Sequence, residues 1–209
     1  RAKRLESGTP YQSYSALFTF EFTRWLSEQI NNSDTNKLRI GIIAPYRAQA
    51  NILSRLHDSW TPKPNNVEIQ VGTIHGFQGD ECDIIIAVLN PPPSISTSPQ
   101  LFLNKQNILN VAISRARDYL FVIIPDDETE DIKNLKKVAK VEQLIKAGGA
   151  FAEYASHAIE KIIWDKENYL EENTFSTGHQ MVNVYRKPER YYEIRSDESA
   201  IDVQIHGVQ

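Results

Sequence analysis

The apolar and polar positions of the first two-thirds of the chain follow two alternating patterns. Residues 16–30 carry apolar side chains at three- to four-residue spacing, which predicts an amphipathic helix. Residues 38–44 form a short apolar run that ends at Pro45, and such a run is typical of a buried strand. Residues 47–60 return to helical spacing, and the proline- and asparagine-rich residues 61–66 predict a loop.

The same alternation continues to residue 124. Residues 67–71 and 83–89 predict two more strands, a helix follows over about residues 104–117, and residues 119–124 predict another buried strand. Apolar strands that alternate with amphipathic helices are typical of an α/β fold. We therefore predict a parallel sheet with helices on both faces.

The pattern changes after Pro125. Residues 132–145 and 151–164 have helical spacing, and from residue 181 apolar and polar residues alternate as in short strands. We therefore predict a first domain over residues 1–129. Residues 130–209 are expected to form an accessory C-terminal region, a small helix-and-strand appendage.

The composition is that of a globular protein and does not indicate a particular binding partner. The 209 residues are 41% apolar and 24% charged, as in ordinary globular proteins. The formal net charge of −4 divides into +2 for residues 1–125 and −6 for the remainder. A polyanion would therefore be bound by local basic positions and not by a general positive field.

Several other classes of site and location are disfavoured. The single cysteine, Cys82, excludes an internal disulfide, and the five histidines show no metal-ligand spacing, so no metal site is predicted. No apolar run approaches the roughly 20 residues of a membrane span, so we expect no membrane partner. The expected location is cytoplasmic, or nuclear in a eukaryote. Because the chain begins with Arg1 and not with Met, we expect it to be a piece of a longer protein.

Candidate chemistry follows the strand at residues 67–71. Three glycines there (Gly72, Gly76 and Gly79) allow main-chain N–H groups to approach an anion closely. A carboxylate in this loop would suit a ribose hydroxyl, because its charge is wrong for a phosphate. The alternative is an ordinary glycine-rich turn. The loop's other polar residues are Thr73 and His75, at the end of the strand, and Gln78, Asp80 and Glu81.

A second candidate is the pair Arg115 and Arg117. On one continuous helix the two side chains would lie roughly 160° apart, so they could not easily grip one phosphate together. One arginine would then face an anion while the other pairs inside its own domain. The alternative is two exposed surface arginines. A third candidate is the strand-to-helix turn at residues 43–49, in which Pro45 suits the first helical turn and Gln49 would face one side of the loop.

These three elements, in this order, resemble motifs IV, V and VI of superfamily 1 helicases. The matching segments are residues 43–49 (IAPYRAQ), 71–81 (VGTIHGFQGDE) and 110–117 (NVAISRAR). The resemblance is to the branch that contains the nonsense-mediated-decay RNA helicase and related DNA helicases. It covers roughly residues 10–125.

The resemblance implies one half of a two-lobed motor. In that family two RecA-like lobes clamp ATP, and the first lobe holds the phosphate loop and Mg²⁺. The chain resembles the second, C-terminal lobe. The resemblance assigns Arg115 as a catalytic arginine finger and places Gly79 near the γ-phosphate and Glu81 near the ribose. Gln78 would belong to the same ATP-binding network, and Arg117 would hold that network in place by pairing inside its own domain.

The resemblance also implies a nucleic-acid surface. Thr73 and His75 match positions near the nucleic-acid backbone, and the turn with Pro45 and Tyr46 matches part of the strand-binding and inter-lobe surface. The implied partners are single-stranded DNA or RNA and the N-terminal RecA-like lobe of the same protein. ATP and Mg²⁺ would be held mainly by that lobe, so the chain alone is expected to be inactive.

One departure from the family pattern leaves a second hypothesis open. Family members often carry an arginine sensor just before the first helix, and residues 11–16 contain no arginine. The alternative is a catalytically inactive binding module for nucleic acid or protein, derived from a helicase lobe. An unrelated α/β nucleotide-binding enzyme is a third hypothesis. Residues 121–128 faintly resemble a strand that ends in a magnesium-binding acid pair, but Pro125 interrupts them and no phosphate loop precedes them.

Overall fold

The structure is a computed structural model of the chain. It describes residues 2–4, 10–30, 37–77, 79–91, 102–104, 106–125, 135–172, 174–177, 182–187, 190–196 and 201–207.

The described residues form short and long strands in the first part of the chain and a run of strands at its end. The strands are β1 (Ala2–Arg4), β2 (Pro10–Gln12), β3 (Leu38–Ala44), β4 (Val67–Thr73), β5 (Cys82–Val88), β6 (Ala116–Ile123), β7 (Thr174–Thr177), β8 (Val182–Lys187), β9 (Arg190–Ser196) and β10 (Ile201–Gly207). The helices are α1 (Ser13–Gln29), α2 (Arg47–Asp58), α3 (Gln106–Ile113), α4 (Lys136–Ala147), α5 (Ser156–Trp164) and α6 (Tyr169–Glu172), and a 3₁₀ turn spans Phe102–Asn104.

The central sheet is parallel and has the strand order β4-β3-β5-β6. In its middle, Ile42 of β3 lies between Val71 of β4 and Ile86 of β5. β3 and β5 are apolar along almost their whole length, because each is covered on both faces. The predicted α/β fold with a parallel sheet between two helical layers is confirmed.

Each face of the sheet has its own apolar core. The first core lies under α1 and α2 and contains Phe20 and Leu53, both fully buried. The second lies under α3 and α4 and contains Phe77 and Leu109. Successive residues of β5 point into opposite cores, as the two-residue period of a strand requires.

Helix α1 is buried on more than one side. Its hydroxyls at Thr19, Thr23 and Ser27 each donate to the main-chain carbonyl four residues earlier, which satisfies them inside the protein. The Tyr14 hydroxyl donates to Glu160 of α5 at 2.6 Å. Glu160 is buried and also accepts from the main-chain N–H of Leu170, so α1 lies between the sheet and the α5–α6 pair.

The C-terminal region packs on the same lobe. Leu135 and Val138 belong to the second core, and Leu170 and Val203 belong to the first. Strands β7 to β10 form an antiparallel sheet in the order β10-β9-β8-β7, and β10 contacts α2. The predicted helix-and-strand appendage is therefore present, while the boundary at residue 129 stays a prediction.

One predicted element is wrong in extent. The helix expected over residues 104–117 ends at Ile113, and Arg117 lies in β6. The chain joins the sheet early because Ala116 pairs with Cys82 and the Arg115 carbonyl accepts from the Cys82 N–H at 3.0 Å. The angle derived for two arginines on one helix does not apply, because the two residues belong to a turn and a strand.

Among the helices in the described part of the chain, we find none that is both long and apolar enough to span a membrane.

Candidate functional site

The connection from β4 to β5 carries most of the candidate residues. It leaves β4 after Thr73 and enters β5 at Cys82. Because both strands are parallel to β3 between them, the connection must return from the carboxyl edge of the sheet to the amino edge, a distance of about 20 Å. The residues of one motif are therefore spread between two edges.

A single aromatic side chain fixes this connection to the sheet. Phe77 is fully buried, and two strand glycines make room for its ring. A Cβ atom on Gly41 would lie 2.8 Å from Phe77 Cε1, and one on Gly72 would lie 3.0 Å from Phe77 Cε2. The turn is closed by the Phe77 N–H, which donates to the Thr73 carbonyl at 3.2 Å. Gly79 has a φ of +100°, which a glycine adopts without strain.

At the amino edge, charged residues from three adjacent strands meet. Arg117 of β6 donates from Nε to Glu81 Oε2 at 3.4 Å, and its Nη1 lies 3.7 Å from Asp83 Oδ1. Arg39 of β3 donates its main-chain N–H to Asp83 Oδ2 at 2.8 Å and its Nη1 to the Glu81 carbonyl at 3.0 Å. Glu81 is thus held through both its main chain and its side chain.

Arg115 lies beside this group and has different partners. Its Nε donates to the Val111 carbonyl at 3.3 Å, and its Nη2 donates to the Ser114 hydroxyl at 3.0 Å. The side chain is half-buried, and within the described ranges no carboxylate pairs with it. The hydrogen bond from the Cys82 N–H to the Arg115 carbonyl fixes its backbone next to Glu81.

The carboxyl edge is lined by rings. Tyr46 follows β3 and His75 follows β4, and both rings lie 6.1 Å from that of Phe102, between centroids. His75 is exposed, Thr73 is half-buried and Pro45 is buried. The Tyr46 hydroxyl is buried with no hydrogen-bond partner among the described residues, and burial raises the pKa of this phenol to about 12.

The structure separates the predicted residues into two groups. Glu81, Arg115 and Arg117 meet at the amino edge, with Gly79 two residues before Glu81 in the connection. Thr73, His75, Pro45 and Tyr46 lie at the carboxyl edge. Gln78 lies outside the described residues. The chemical roles of all of them stay predictions.

Gln49 bonds to another element of the domain in this structure. It is buried, its Oε1 accepts from the Gln12 N–H at 2.7 Å, and its Nε2 donates to the Gln12 carbonyl at 3.2 Å. The side chain therefore joins α2 to β2.

Three residues of these edges were not predicted from the sequence: Arg39, Asp83 and Phe102. The signal for the first two is a charged residue inside an otherwise apolar strand, which needs a partner when the sheet is covered on both faces. Phe102 lies in a 3₁₀ turn, and no local pattern connects it to the edge.

The lone cysteine lies under the charged group. Cys82 is buried, and burial raises the pKa of its thiol, which keeps the thiol protonated. In the ranges that the structure covers, no group of three or more histidine, cysteine or acidic side chains is arranged to hold a metal ion.

The fold and the two edges define a class: an α/β domain with the parallel sheet of a RecA-like lobe. Comparison with known families agrees. The model of the family described as AAA domain matches residues 3–127, which is more than half of the chain. The chain belongs to this family.

Individual relatives carry helicase names. The DNA polymerase alpha-associated DNA helicase A of Saccharomyces cerevisiae is 35% identical over 97 residues, which is 46% of this chain and 13% of that protein. Helicase sen1 of Schizosaccharomyces pombe is 40% identical over 85 residues, 41% of this chain and 5% of that protein. An uncharacterized ATP-dependent helicase of Methanocaldococcus jannaschii is 36% identical over 87 residues, 42% and 12% respectively.

The family match and these relatives together support a domain of the superfamily 1 helicase type. The matched segments span only a small part of each relative's length, so the activity of the whole protein is a matter for proposal.

Proposed function

We propose that the chain is the C-terminal motor lobe of an ATP-dependent helicase or translocase that acts on single-stranded nucleic acid, in the branch of the nonsense-mediated-decay helicase. In this proposal the lobe supplies an arginine finger and strand contacts to an N-terminal RecA-like lobe of the same protein. That other lobe holds most of the ATP and Mg²⁺.

The observation that carries this proposal is the contrast between two neighbouring arginines. Arg117 binds both nearby carboxylates, whereas Arg115 has no carboxylate partner among the described residues and uses two of its five N–H donors on Val111 and Ser114. A half-buried guanidinium at a sheet edge without a paired anion is suited to bind one from outside. Charge that develops on a transferring phosphoryl group is such an anion.

The amino edge also suits the rest of a nucleotide. The Glu81 carboxylate is exposed and can accept a hydrogen bond from a sugar hydroxyl, and the backbone at Gly79 is open to close approach. When bound, ATP would supply the phosphoryl group whose hydrolysis drives movement. This chain's residues would bind its sugar and neutralise its terminal phosphate.

The carboxyl edge suits a single strand. The exposed or half-exposed rings of His75, Phe102 and Tyr46 offer surfaces on which unpaired bases can stack. Such stacking does not depend on the identity of the base. The exposed Arg47, next to Tyr46 at the start of α2, offers a positive charge for a phosphate. The short connection through Phe77 links this edge to the nucleotide edge, which is a physical route for strand binding to affect hydrolysis.

The proposal is tested by ATPase assays of the full-length protein, with and without single strands, in wild type and in Arg115→Ala. We expect strand-stimulated hydrolysis in wild type and a loss of about 10³- to 10⁵-fold in kcat in the variant, the range found for arginine fingers. The matched control is Arg55→Ala, which removes an exposed arginine from α2 and should leave kcat unchanged within about twofold.

Two results would contradict the proposal. Full activity in Arg115→Ala would exclude the finger. Strand binding without ATPase activity in wild type would favour the alternative, a catalytically inactive binding module. The lack of an arginine at residues 11–16, where β2 ends and α1 begins, supports that alternative.

A further inference from the structure

The group at the amino edge contains two charged residues that the motifs do not include. Arg39 precedes the segment that matches motif IV, and Asp83 follows the segment that matches motif V. Both nevertheless bond to the residues around Glu81. Arg39 donates to the Glu81 carbonyl at 3.0 Å and to Asp83 at 2.8 Å.

The carboxylates of Asp83 and Glu81 differ in how much of each is exposed to solvent. The Asp83 side chain is 20% exposed and accepts from the main chain of the neighbouring strand, so it is an anchored group. The Glu81 side chain is 54% exposed and has one bond, to Arg117 at 3.4 Å, among the described residues. Glu81 is therefore the carboxylate that an external ligand can reach.

Arg117 is shared between these carboxylates, and the sharing matters for Glu81. An arginine with one acidic neighbour can bind it through two parallel hydrogen bonds and neutralise it. Here the Nη1 atom of Arg117 lies 3.7 Å from Asp83, and only Nε reaches Glu81. Asp83 thus leaves Glu81 with an oxygen and part of its negative charge for a hydroxyl donor.

We propose that Arg39 and Asp83 are positioning residues that hold Glu81 ready to accept a hydrogen bond from a hydroxyl of the nucleotide sugar. Arg39 fixes the main chain of Glu81, and Asp83 draws one end of the Arg117 guanidinium away from the Glu81 side chain. This inference rests on the proposed ATP-dependent function. It adds selectivity for a hydroxylated sugar to that function and assigns it to residues outside the motifs.

The test compares nucleotides that differ only in the sugar. In the full-length protein with saturating single strand, kcat and KM are measured for ATP, 2′-deoxy-ATP and 3′-deoxy-ATP. We expect wild type to prefer ATP over at least one deoxy form by about tenfold or more in kcat/KM, as for a hydrogen bond to a charged acceptor. Glu81→Gln, Asp83→Asn and Arg39→Gln should each reduce this preference to less than about threefold, mainly by raising KM for ATP.

Matched controls separate positioning from general damage. Arg55→Gln and Asp165→Asn make the same chemical changes at exposed positions outside the amino edge, and both should keep the wild-type preference. Arg39→Lys keeps the charge and the main-chain bond to Asp83 but has no guanidinium fork, so it should show an intermediate preference. Thermal unfolding of each variant checks that it is folded at the assay temperature.

The inference and the function it rests on fail in different ways. An active protein that is sensitive to Arg115→Ala, but in which Asp83→Asn and Arg39→Gln keep the full sugar preference, would overturn the positioning role alone. A wild type that hydrolyses all three nucleotides equally well would also overturn it. A wild type that hydrolyses none of them would defeat the motor function and this inference together.

Discussion

The two edges of one sheet are built from different chemistry. At the amino edge, Arg39, Glu81, Asp83 and Arg117 form a connected group of four charges, with Arg115 beside it. At the carboxyl edge, the rings of Tyr46 and His75 each lie 6.1 Å from the ring of Phe102, between centroids.

Under the proposed function, this difference would let one small lobe bind a nucleotide at one edge of the sheet and a nucleic-acid strand at the other. Exposed ion pairs contribute little to stability, about 0–1 kcal/mol each, so the exposed Arg117–Glu81 pair is not what holds the fold together. Charged side chains that are held in place at the amino edge suit a ligand whose charged groups have fixed positions, such as a nucleotide. An edge of rings suits a ligand with a variable sequence, because stacking accepts any base.

The largest expected effect concerns the residue between the two edges. Phe77 fills the space over Gly41 and Gly72 and holds the connection on the sheet. We expect Phe77→Ala to lower the free energy of unfolding by about 3–5 kcal/mol, as for other buried aromatic residues. Denaturant titration followed by circular dichroism measures this change.

The control for that change is Phe151→Ala. Phe151 is 46% exposed, so its removal should alter the free energy of unfolding by less than about 0.5 kcal/mol. Equal destabilisation by the two changes would show that Phe77 is not the anchor of the connection. The position of the connection between the two edges would then have to depend on other residues than Phe77.

The sequence predicts the strands of the sheet well where a residue that disfavours strands marks the strand end. The apolar run at β3 stops at Pro45, and the predicted and observed bounds of this strand agree. Helix α3 ends at Ile113, earlier than the spacing predicts, because Ala116 fits the apolar arc of a helix as well as it fits a strand. The pairing of Ala116 with Cys82 decides between them, and that contact joins residues far apart in the sequence.

The division of the site between two edges could not be predicted from the motif alone. Thr73 and Glu81 lie in one continuous segment, and nothing local shows that β3 runs between the strands on either side of it. The partners of Glu81 come from β3 and β6, so the group forms only when the strand order is fixed. Arg39 and Asp83 were missed for this reason.

A smaller effect should appear at the carboxyl edge. We expect His75→Ala to weaken single-strand binding by about 1–3 kcal/mol, the usual contribution of one stacked base. Because stacking involves no phosphate, the loss should be similar at low and high salt. Fluorescence anisotropy of a labelled strand at two salt concentrations measures it.

Two other variants sharpen that result. Arg47→Gln should weaken binding mainly at low salt, because a phosphate contact is screened by ions. Asp165→Asn, on an exposed loop, should leave affinity unchanged. If His75→Ala bound the strand as tightly as wild type at both salt concentrations, the stacking surface would lose its support.

The last effect is the dependence of the free energy of unfolding on pH. It has to be measured before ligand binding at the two edges is compared between buffers of different pH. His57 lies in the first core, in edge-to-face contact with Phe20, and burial, with the nearby Lys63 and Arg24 charges, lowers its pKa from 6.5 to about 3. In the folded chain it stays neutral down to about pH 3, whereas the unfolded chain takes up the proton below pH 6.5. Stability should therefore fall as the pH drops below 6.5, by up to about 1.4 kcal/mol per pH unit from this group.

The measurement is the free energy of unfolding at pH 7, 6 and 5 in wild type, His57→Leu and His157→Gln. His57→Leu should remove this part of the slope, since no buried imidazole remains, and it need not destabilise the protein at pH 7 because neither ring nitrogen of His57 has a hydrogen-bond partner among the described residues. His157 is exposed, so its variant should keep the wild-type slope. An identical slope in wild type and His57→Leu would mean that His57 takes up its proton in the folded state as readily as in the unfolded one.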